Sequence, residues 1–546
     1  MRNKKIFFLF ISGLIISLFS IGVSAYGQVP EYVRVGLYFN GSGAENKAAP
    51  SYQVYSASGV SVGYTDGGDG CVHLYDFKVP SEGAQMVISK CSFASKYAVV
   101  TGKESGNLFE VAGRVDALKK KGFDPYLVYF NGWALVTGVY NSAESAAQDI
   151  DAVFKQAFPN YGFTAEPLSG KYILISIGGA RQFIFDADSN NLRIWPSVTD
   201  AQGDGAAQNG DAVIGLNGGK YRGTLEFIRG SDGALSVVNR LKMNEYLYGV
   251  VPKEIQASSS QEALKAQAIT ARTYALNTMN KHGSGGFGLC STAHCQVYGG
   301  YDAEDSRSTR AVDETGDKIV TYKGSPAQVY YFSSSGGHTA NVKYVWSGSE
   351  YPYLSGVEDN YESGQSYNYN WEKSYTADEI KAALAKNGIN IGDIVDVAVT
   401  TKAEGGYVTG VQITGTDGTK VYTNGSCRTF LGGLNSQVYS IYANGSPAYA
   451  AIGADGVNPV LLESFEAVGA GGKTATVTGD GVKAVSGDGV KSLTPRGTGT
   501  GTGYTFIGKG WGHGVGMSQE GARGMANAGF SCVEILTHYF PGCEVG

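Results

Sequence analysis

Cysteine and proline are both scarce in this chain, 7 and 14 residues among 546. So few cysteines cannot staple a disulfide scaffold, and their odd number leaves at least one unpaired. Charge is thin as well. The 43 basic residues against 49 acidic ones give a net −6, without the excess of Lys and Arg that a nucleic-acid-binding surface needs. No Gly-X-Y period accompanies the 79 glycines, which excludes collagen. A hydrophobic content of 42% excludes general disorder. Past residue 25 no stretch is apolar enough to span a bilayer. What is abundant, Tyr 36 and Phe 23, points to strand-rich globular domains, two or three of them at this length.

Arg2, Lys4 and Lys5 precede an uncharged run from Ile6 to Ala25 that ends Val23-Ser24-Ala25. A basic start, an apolar stretch and a small-x-small ending make residues 1–25 a secretory signal; the same run is just long enough to be an uncleaved membrane anchor. On either reading the rest of the chain faces an exterior compartment, and any membrane contact is made by residues 6–25.

The pattern then divides the chain into an α+β, multidomain, strand-rich whole. Residues 26–120 read as short strands broken by Gly, Ser and Asp, beginning with the alternation Val33-Arg34-Val35-Gly36-Leu37-Tyr38-Phe39. Residues 121–180 form a small α+β module. Within it, Tyr126–Phe130 and Trp133–Val139 flank the hairpin signal Asn131-Gly132, and helical spacing follows from Ser142 to Phe158. The module resembles the sporulation-related repeat (SPOR) fold; an unrelated packing module fits the same pattern. Strands return from 172 to 240. An Ala-rich helix over 260–280 follows, its start marked by a capping box of Ser259 and Glu262. Residues 446–503 look inserted. Thr478-Gly479-Asp480-Gly481-Val482-Lys483 nearly repeats as Ser486-Gly487-Asp488-Gly489-Val490-Lys491, and a Gly-Thr connector runs through 497–503.

Four segments carry chemistry. In Val250-Val251-Pro252-Lys253-Glu254, a carboxylate follows an apolar stretch, where desolvation raises its pKa toward what a general acid needs. The bland alternative has Glu254 favouring a helix N-terminal dipole, or paired with Lys253 or Arg272. Cys290, His294 and Cys295, with His282 upstream, make four ligands of the kind tetrahedral zinc takes, while a Cys290–Cys295 disulfide competes. The strand Val329–Phe332 ending in Ser333-Ser334-Ser335-Gly336-Gly337 exposes hydroxyls and amides to a ligand, or is an ordinary turn, and aromatics from Tyr344 to Tyr353 follow it. Finally Gly508–Gly516 lacks nucleotide-loop spacing and fits a loop whose backbone passes under an extended ligand, presenting His513 and Gln519.

Together these segments resemble the stage II sporulation protein D (SpoIID/LytB, amidase-enhancer) family. The resemblance rests on Val250–Glu254 with Glu262–Ala268, Ala271-Arg272-Thr273-Tyr274-Ala275, His294-Cys295-Gln296-Val297-Tyr298 and Gly512–Ala522, in order. It implies that 172–445 and 504–546 make a catalytic domain holding the Ala-rich helix. It further implies a lytic transglycosylase that cuts peptidoglycan glycan strands, with Glu254 as the single acid/base. Arg272, Gln296, Tyr298, Tyr331, Ser335, Gly336, His513 and Gln519 would bind substrate, and structural zinc would sit on His282, Cys290, His294 and Cys295. The protein would be secreted and cell-wall associated. Some relatives are described as enhancers of a cell-wall amidase, so a non-catalytic glycan-binding role is the alternative. Where the family commonly has an aromatic after Ser-Gln, this chain has Glu520, a carboxylate with no inherited role. Cys71–Cys91 and Cys532–Cys543 remain open pairings that would leave Cys427 alone.

Overall fold

The computed structural model describes residues 29–546, less the stretches 66–69, 80–85, 199–211, 347–349 and 493–502, several stretches between 445 and 488, and a few single residues elsewhere. The expected signal segment, and most of the Gly-Thr connector, lie outside the described residues. Among the described residues no helix is long and apolar enough to cross a membrane.

Two large sheets carry the first half of the chain, and they ignore the boundary expected at 120. The seven-stranded sheet runs in the order Leu289–Cys290, Tyr32–Tyr38, Leu235–Lys242, Thr224–Arg229, Leu192–Pro196, Val60–Thr65, Cys71–Phe77. The first described strand, Tyr32–Tyr38, thus sits between Leu235–Lys242 and Leu289–Cys290, with Gly36 opposite Cys290. Its alternating burial seats Val33, Val35 and Leu37 in the main core. No local pattern announces such a pairing, because its partners lie two hundred residues away.

The second sheet has ten strands, and at one end the order is Tyr126–Tyr129, Trp133–Tyr140, Tyr97–Gly106, Phe163–Pro167. Helices Leu108–Gly113 and Val115–Lys120 follow the strand Tyr97–Gly106. A helical stretch from Ala143 to Ala157, with a π-segment at Ile150–Phe154, precedes Phe163–Pro167. This is a βαββαβ unit, the split βαβ arrangement. It begins at Tyr97, not near 121. The expected hairpin is there, with Asn131 at φ 53° in the turn between paired Tyr129 and Trp133.

Helix Gln261–Thr278 buries Ala263, Leu264, Ala266, Ala268, Ala271 and Ala275. The capping box does not form. Ser260 is the N-cap and makes no side-chain cap, while Glu262 accepts from the Cys532 amide at 2.7 Å and from Lys265 at 3.0 Å. A tertiary partner has replaced the local one.

Residues 370–443 with 503–509 carry their own core of Trp371, Ile380, Leu384, Ile413, Phe430 and Phe506. Strand Gly503–Lys509 lies between Asn370–Thr376 and Val438–Ala443, with Ala443 opposite Tyr504. The intervening segment therefore leaves and returns at adjacent points. Among its described residues three antiparallel strand pairs form, the last joining Lys483–Ser486 with Gly489–Ser492. All seven cysteines are free thiols, so none of the open disulfide pairings is made.

Candidate functional site

Helix Met243–Glu254 ends on the candidate acid, and Ile255 turns the chain into extended backbone. Pro252 is tolerated in the last turn, and Gly249 lets the Tyr298 ring and the Gly300 carbonyl approach where a Cβ would stand 2.7 Å from the ring. Glu254 thus lies at the helix C-terminus, the reverse of the dipole reading. The negative end of the helix works against its ionisation. Burial pushes the Glu254 carboxyl above its ordinary value, and hydrogen bonds from the Val297 amide, at 3.0 Å, and from the Tyr331 hydroxyl pull it partly back.

Glu254 opens on a cleft of about 400 Å³ whose walls include Tyr274, Lys281, Tyr330, Tyr331, Trp346 and His513. Among the described residues it is the one carboxylate lining that cleft. Tyr330 packs against Trp346 at 4.6 Å between ring centroids, and Trp346 lies 5.0 Å from the His513 ring. Burial holds His513 down to about 4. The imidazole is therefore neutral, with Nδ1 accepting from the Val515 amide at 3.1 Å and the ring bonded to the Tyr331 backbone. Lys281 supplies the cleft's positive charge and donates to the His294 carbonyl.

Beside this cleft the four expected metal ligands converge. The ligand atoms of His282, Cys290, His294 and Cys295 all lie within 4.8 Å of one another. Cys295 Sγ is 3.4 Å from His282 Nε2 and 3.8 Å from His294 Nδ1, and Cys290 Sγ is 3.7 Å from His294 Nδ1. Zinc bonds of about 2.0–2.3 Å in a tetrahedron put ligand atoms about 3.3–3.8 Å apart, so the donor set fits zinc in number, chemistry and size. A shared hydrogen bond holds the Cys290 thiol below its ordinary value at the expense of Cys295. The Phe287 ring stacks on His282 at 5.0 Å. Gly43, at φ +79°, leaves room for His294, whose Nδ1 would be 2.6 Å from a Cβ there.

Other expected substrate contacts lie elsewhere. Arg272 is fully buried and donates to the carbonyls of Lys318 and Val312, to Thr315 and to Asn244. It cross-braces three elements and reaches neither Glu254 nor the cleft. Tyr298 is buried against Tyr246 and donates to Asn239 at 2.8 Å. Gln296, 1% exposed, bonds Tyr331, Tyr246 and the Ala271 carbonyl. Gln519 donates to Gln267 at 3.2 Å.

Ser335 and Gly336 are also engaged internally. The Glu362 carboxylate accepts from the Ser335 amide at 3.0 Å, the Gly336 amide at 3.1 Å and the Ser335 hydroxyl at 2.9 Å, and Ser334 donates as well. The glycines of 508–516 pack against protein. A Cβ on Gly508 would stand 2.3 Å from Trp371, on Gly514 2.4 Å from the Tyr407 hydroxyl, and on Gly516 2.2 Å from the Tyr330 carbonyl. The loop is glycine-rich so that neighbouring elements can close on it. Both Glu520 oxygens accept from Arg523 Nη1 at 2.9 Å, a local explanation for the extra carboxylate.

Tyr246, Tyr274, Lys281 and Glu362 were not anticipated as site residues. Tyr274 lies two residues past Arg272, on the opposite face of the helix, and Lys281 seven residues further on, about two turns along that face and just past the helix end, so an i, i+7 spacing from Tyr274 could have suggested Lys281. Glu362 sits in a loop with no pattern.

The family model for stage II sporulation protein matches residues 231–322, the stretch that holds Glu254 and all four metal-type ligands. A domain of unknown function (DUF8618) matches 357–471. An uncharacterised protein of Brachyspira hyodysenteriae is 30% identical over 331 residues, 60% of this chain and 73% of the relative. The amidase enhancer of Bacillus subtilis is 30% identical over 355 residues, 60% of this chain and 44% of that longer protein. Stage II sporulation protein D of the same organism is 28% identical over 324 residues, 56% of this chain and 75% of its own length. With these similarities running over more than half its length, the chain belongs to the stage II sporulation protein D (SpoIID) family.

Proposed function

We propose that this protein is a lytic transglycosylase acting outside the cytoplasm on peptidoglycan glycan strands, at the bond between N-acetylmuramic acid and N-acetylglucosamine. The observation that carries the reading is the isolation of Glu254, a half-buried carboxyl held above its ordinary pKa in an aromatic-walled cleft that, among the described residues, is lined by no second carboxylate. Ordinary glycosidases divide their work between two carboxyl groups. Here one must serve twice. Protonated Glu254 donates its proton to the leaving glycosidic oxygen as the bond from the muramic-acid C1 breaks. The sugar's own C6 hydroxyl then attacks C1, and the Glu254 carboxylate takes the hydroxyl proton. The product is a 1,6-anhydro end, the acid is regenerated and no water is consumed. Tyr331 steadies the carboxylate between the two transfers, and Tyr330 and Trp346 offer ring faces to the sugars.

His282, Cys290, His294 and Cys295 would hold zinc with all four positions filled by protein. Such an ion supplies a structural cross-link between the exit of helix Gln261–Thr278 and the loop that presents Gln296 and Val297 to the acid.

The amidase-enhancer relative favours a second reading, in which the cleft binds glycan without cutting and assists an amidase. Glycan stripped of stem peptides, incubated with wild type and Glu254→Gln and analysed by mass spectrometry, separates the two. The transglycosylase reading expects anhydro-muramyl ends from wild type alone. Equal end groups from both proteins, together with equal stimulation of an added amidase, would establish the enhancer.

A further inference from the structure

The hydroxyl that touches Glu254 is not free to choose its partner. Tyr331 receives a hydrogen bond from Gln296 Nε2 at 3.1 Å, and the same amide nitrogen donates to the Ala271 carbonyl at 3.3 Å. At the other end of that amide, Oε1 accepts from the Tyr246 hydroxyl at 3.2 Å. Tyr246 is 0% and Gln296 1% exposed, so water does not compete for either group. A tyrosine hydroxyl has one proton to give, and an amide presents an acceptor at one end and donors at the other. The Ala271 carbonyl, which can only accept, therefore fixes which end of Gln296 carries the donors, the Tyr246 hydroxyl anchors the oxygen end, and Gln296 in turn presents a donor to Tyr331. Accepting from Gln296, the Tyr331 hydroxyl has its one proton left for Glu254, to which it is bonded. The chain runs in one direction, Tyr246 to Gln296 to Tyr331 to Glu254.

We propose that Tyr246 and Gln296 are positioning residues that lock the Tyr331 hydroxyl as a donor to Glu254, steadying the carboxylate that exists between the two proton transfers. The role of Gln296 thereby changes from the expected sugar contact to orientation of the acid from behind. Tyr246, whose ring also packs on Tyr298 at 5.3 Å, acquires a role that its burial alone does not suggest. The inference rests on Glu254 as the acid/base. The other titratable groups lining the cleft with Glu254 are Tyr274, Lys281, Cys295, Tyr330 and His513, and none of their side chains joins the chain.

Tyr246→Phe removes one buried hydroxyl and keeps the ring, so the fold is retained. Losing the lock costs about five- to tenfold in kcat, the worth of one neutral hydrogen bond, with KM within twofold. The alkaline limb of the pH profile moves up, because a carboxylate with a less reliable donor holds its proton longer. Tyr331→Phe does the same more strongly, and Tyr246→Phe adds nothing on top of it. A carboxyl titration of 13C-glutamate-labelled protein, with Glu254 identified by its loss in Glu254→Gln, reads the chain whether or not glycan is cut. The Glu254 midpoint rises in both Phe variants. A shifted midpoint in a protein that makes no anhydro ends would sink the transglycosylase reading and leave the hydrogen-bond chain standing. An unmoved midpoint in Tyr246→Phe, or losses in the two Phe variants that simply add, would overturn the positioning role even in an active enzyme.

Discussion

Arg272 provides the sharpest contrast between what its motif implies and where its side chain lies, so its replacement is informative. The guanidinium is 0% exposed and donates to the Lys318 carbonyl at 3.0 Å, to Asn244 and Thr315 at 3.2 Å each, and to the Val312 carbonyl at 3.4 Å. Hydrogen bonds from a charged donor are worth about 1.5–3 kcal/mol each, set against the cost of burying the charge. Arg272→Met fills most of the volume, removes the charge and takes the arginine donor from the Lys318 carbonyl and the Asn244 amide oxygen, each costing about 1–3 kcal/mol, while the Val312 carbonyl keeps the Thr315 hydroxyl. A net loss of about 3–4 kcal/mol follows, seen as a fall in Tm of about 6–15 °C for a unit of this size. Because Arg272 does not line the cleft, KM for soluble glycan in the folded fraction stays within twofold of wild type. Scanning fluorimetry alongside steady-state assays at 15 °C reads both quantities. An unchanged Tm with a tenfold rise in KM would refute the structural assignment and return Arg272 to the substrate.

The remaining expectations are these. Glu254 is raised by burial, so the native state favours its protonated form. That destabilises the fold above the Glu254 pKa, and the cost disappears below the unfolded value of about 4.3. Glu254→Gln therefore melts higher than wild type at pH 8 and equally at pH 4; no gain at pH 8 would contradict the desolvation argument. Gly514→Ala puts a Cβ 2.4 Å from the Tyr407 hydroxyl at φ +85°, whereas Gly170→Ala meets nothing within 4 Å at φ +80°. The first should cost about 2–4 kcal/mol and the second about 1, and equal melting shifts would show that close packing is not what the loop glycine serves. Metal analysis should find about one zinc per chain, lost with a fall in Tm in Cys295→Ser; wild type purified without metal at full stability would remove zinc from the account.

Much of the acid's environment was legible in the sequence, because an apolar stretch running into Glu254 forecasts desolvation. Which end of a helix it would occupy was not, since the helix before it, Met243–Glu254, carries a proline that argues for a break. The quartet His282, Cys290, His294 and Cys295 could be named from residue chemistry, although its spacing fits no common finger. What closes it is the strand Tyr32–Tyr38, brought alongside Cys290 by a pairing that no local signal predicts. Ser335 and Gly336 were misread for a similar reason: the carboxylate that saturates them belongs to Glu362, in a patternless loop. The loop glycines near His513 were read as room for a ligand, and they are room for Trp371, Tyr407 and the Tyr330 backbone. The capping box lost to Cys532 on a distant helix. Local rules held where burial alone decided, and failed where a far segment supplied the partner.

In the proposed reaction Glu254 alone cuts the glycan by moving a proton out and back, with the sugar's own hydroxyl as nucleophile. Digestion of stem-peptide-free glycan in H2 18O tests it directly. The proposed reaction leaves new muramyl ends that are one water lighter than a reducing end, free of 18O, and absent with Glu254→Gln. Reducing ends that carry 18O, or anhydro ends that persist in Glu254→Gln, would contradict it.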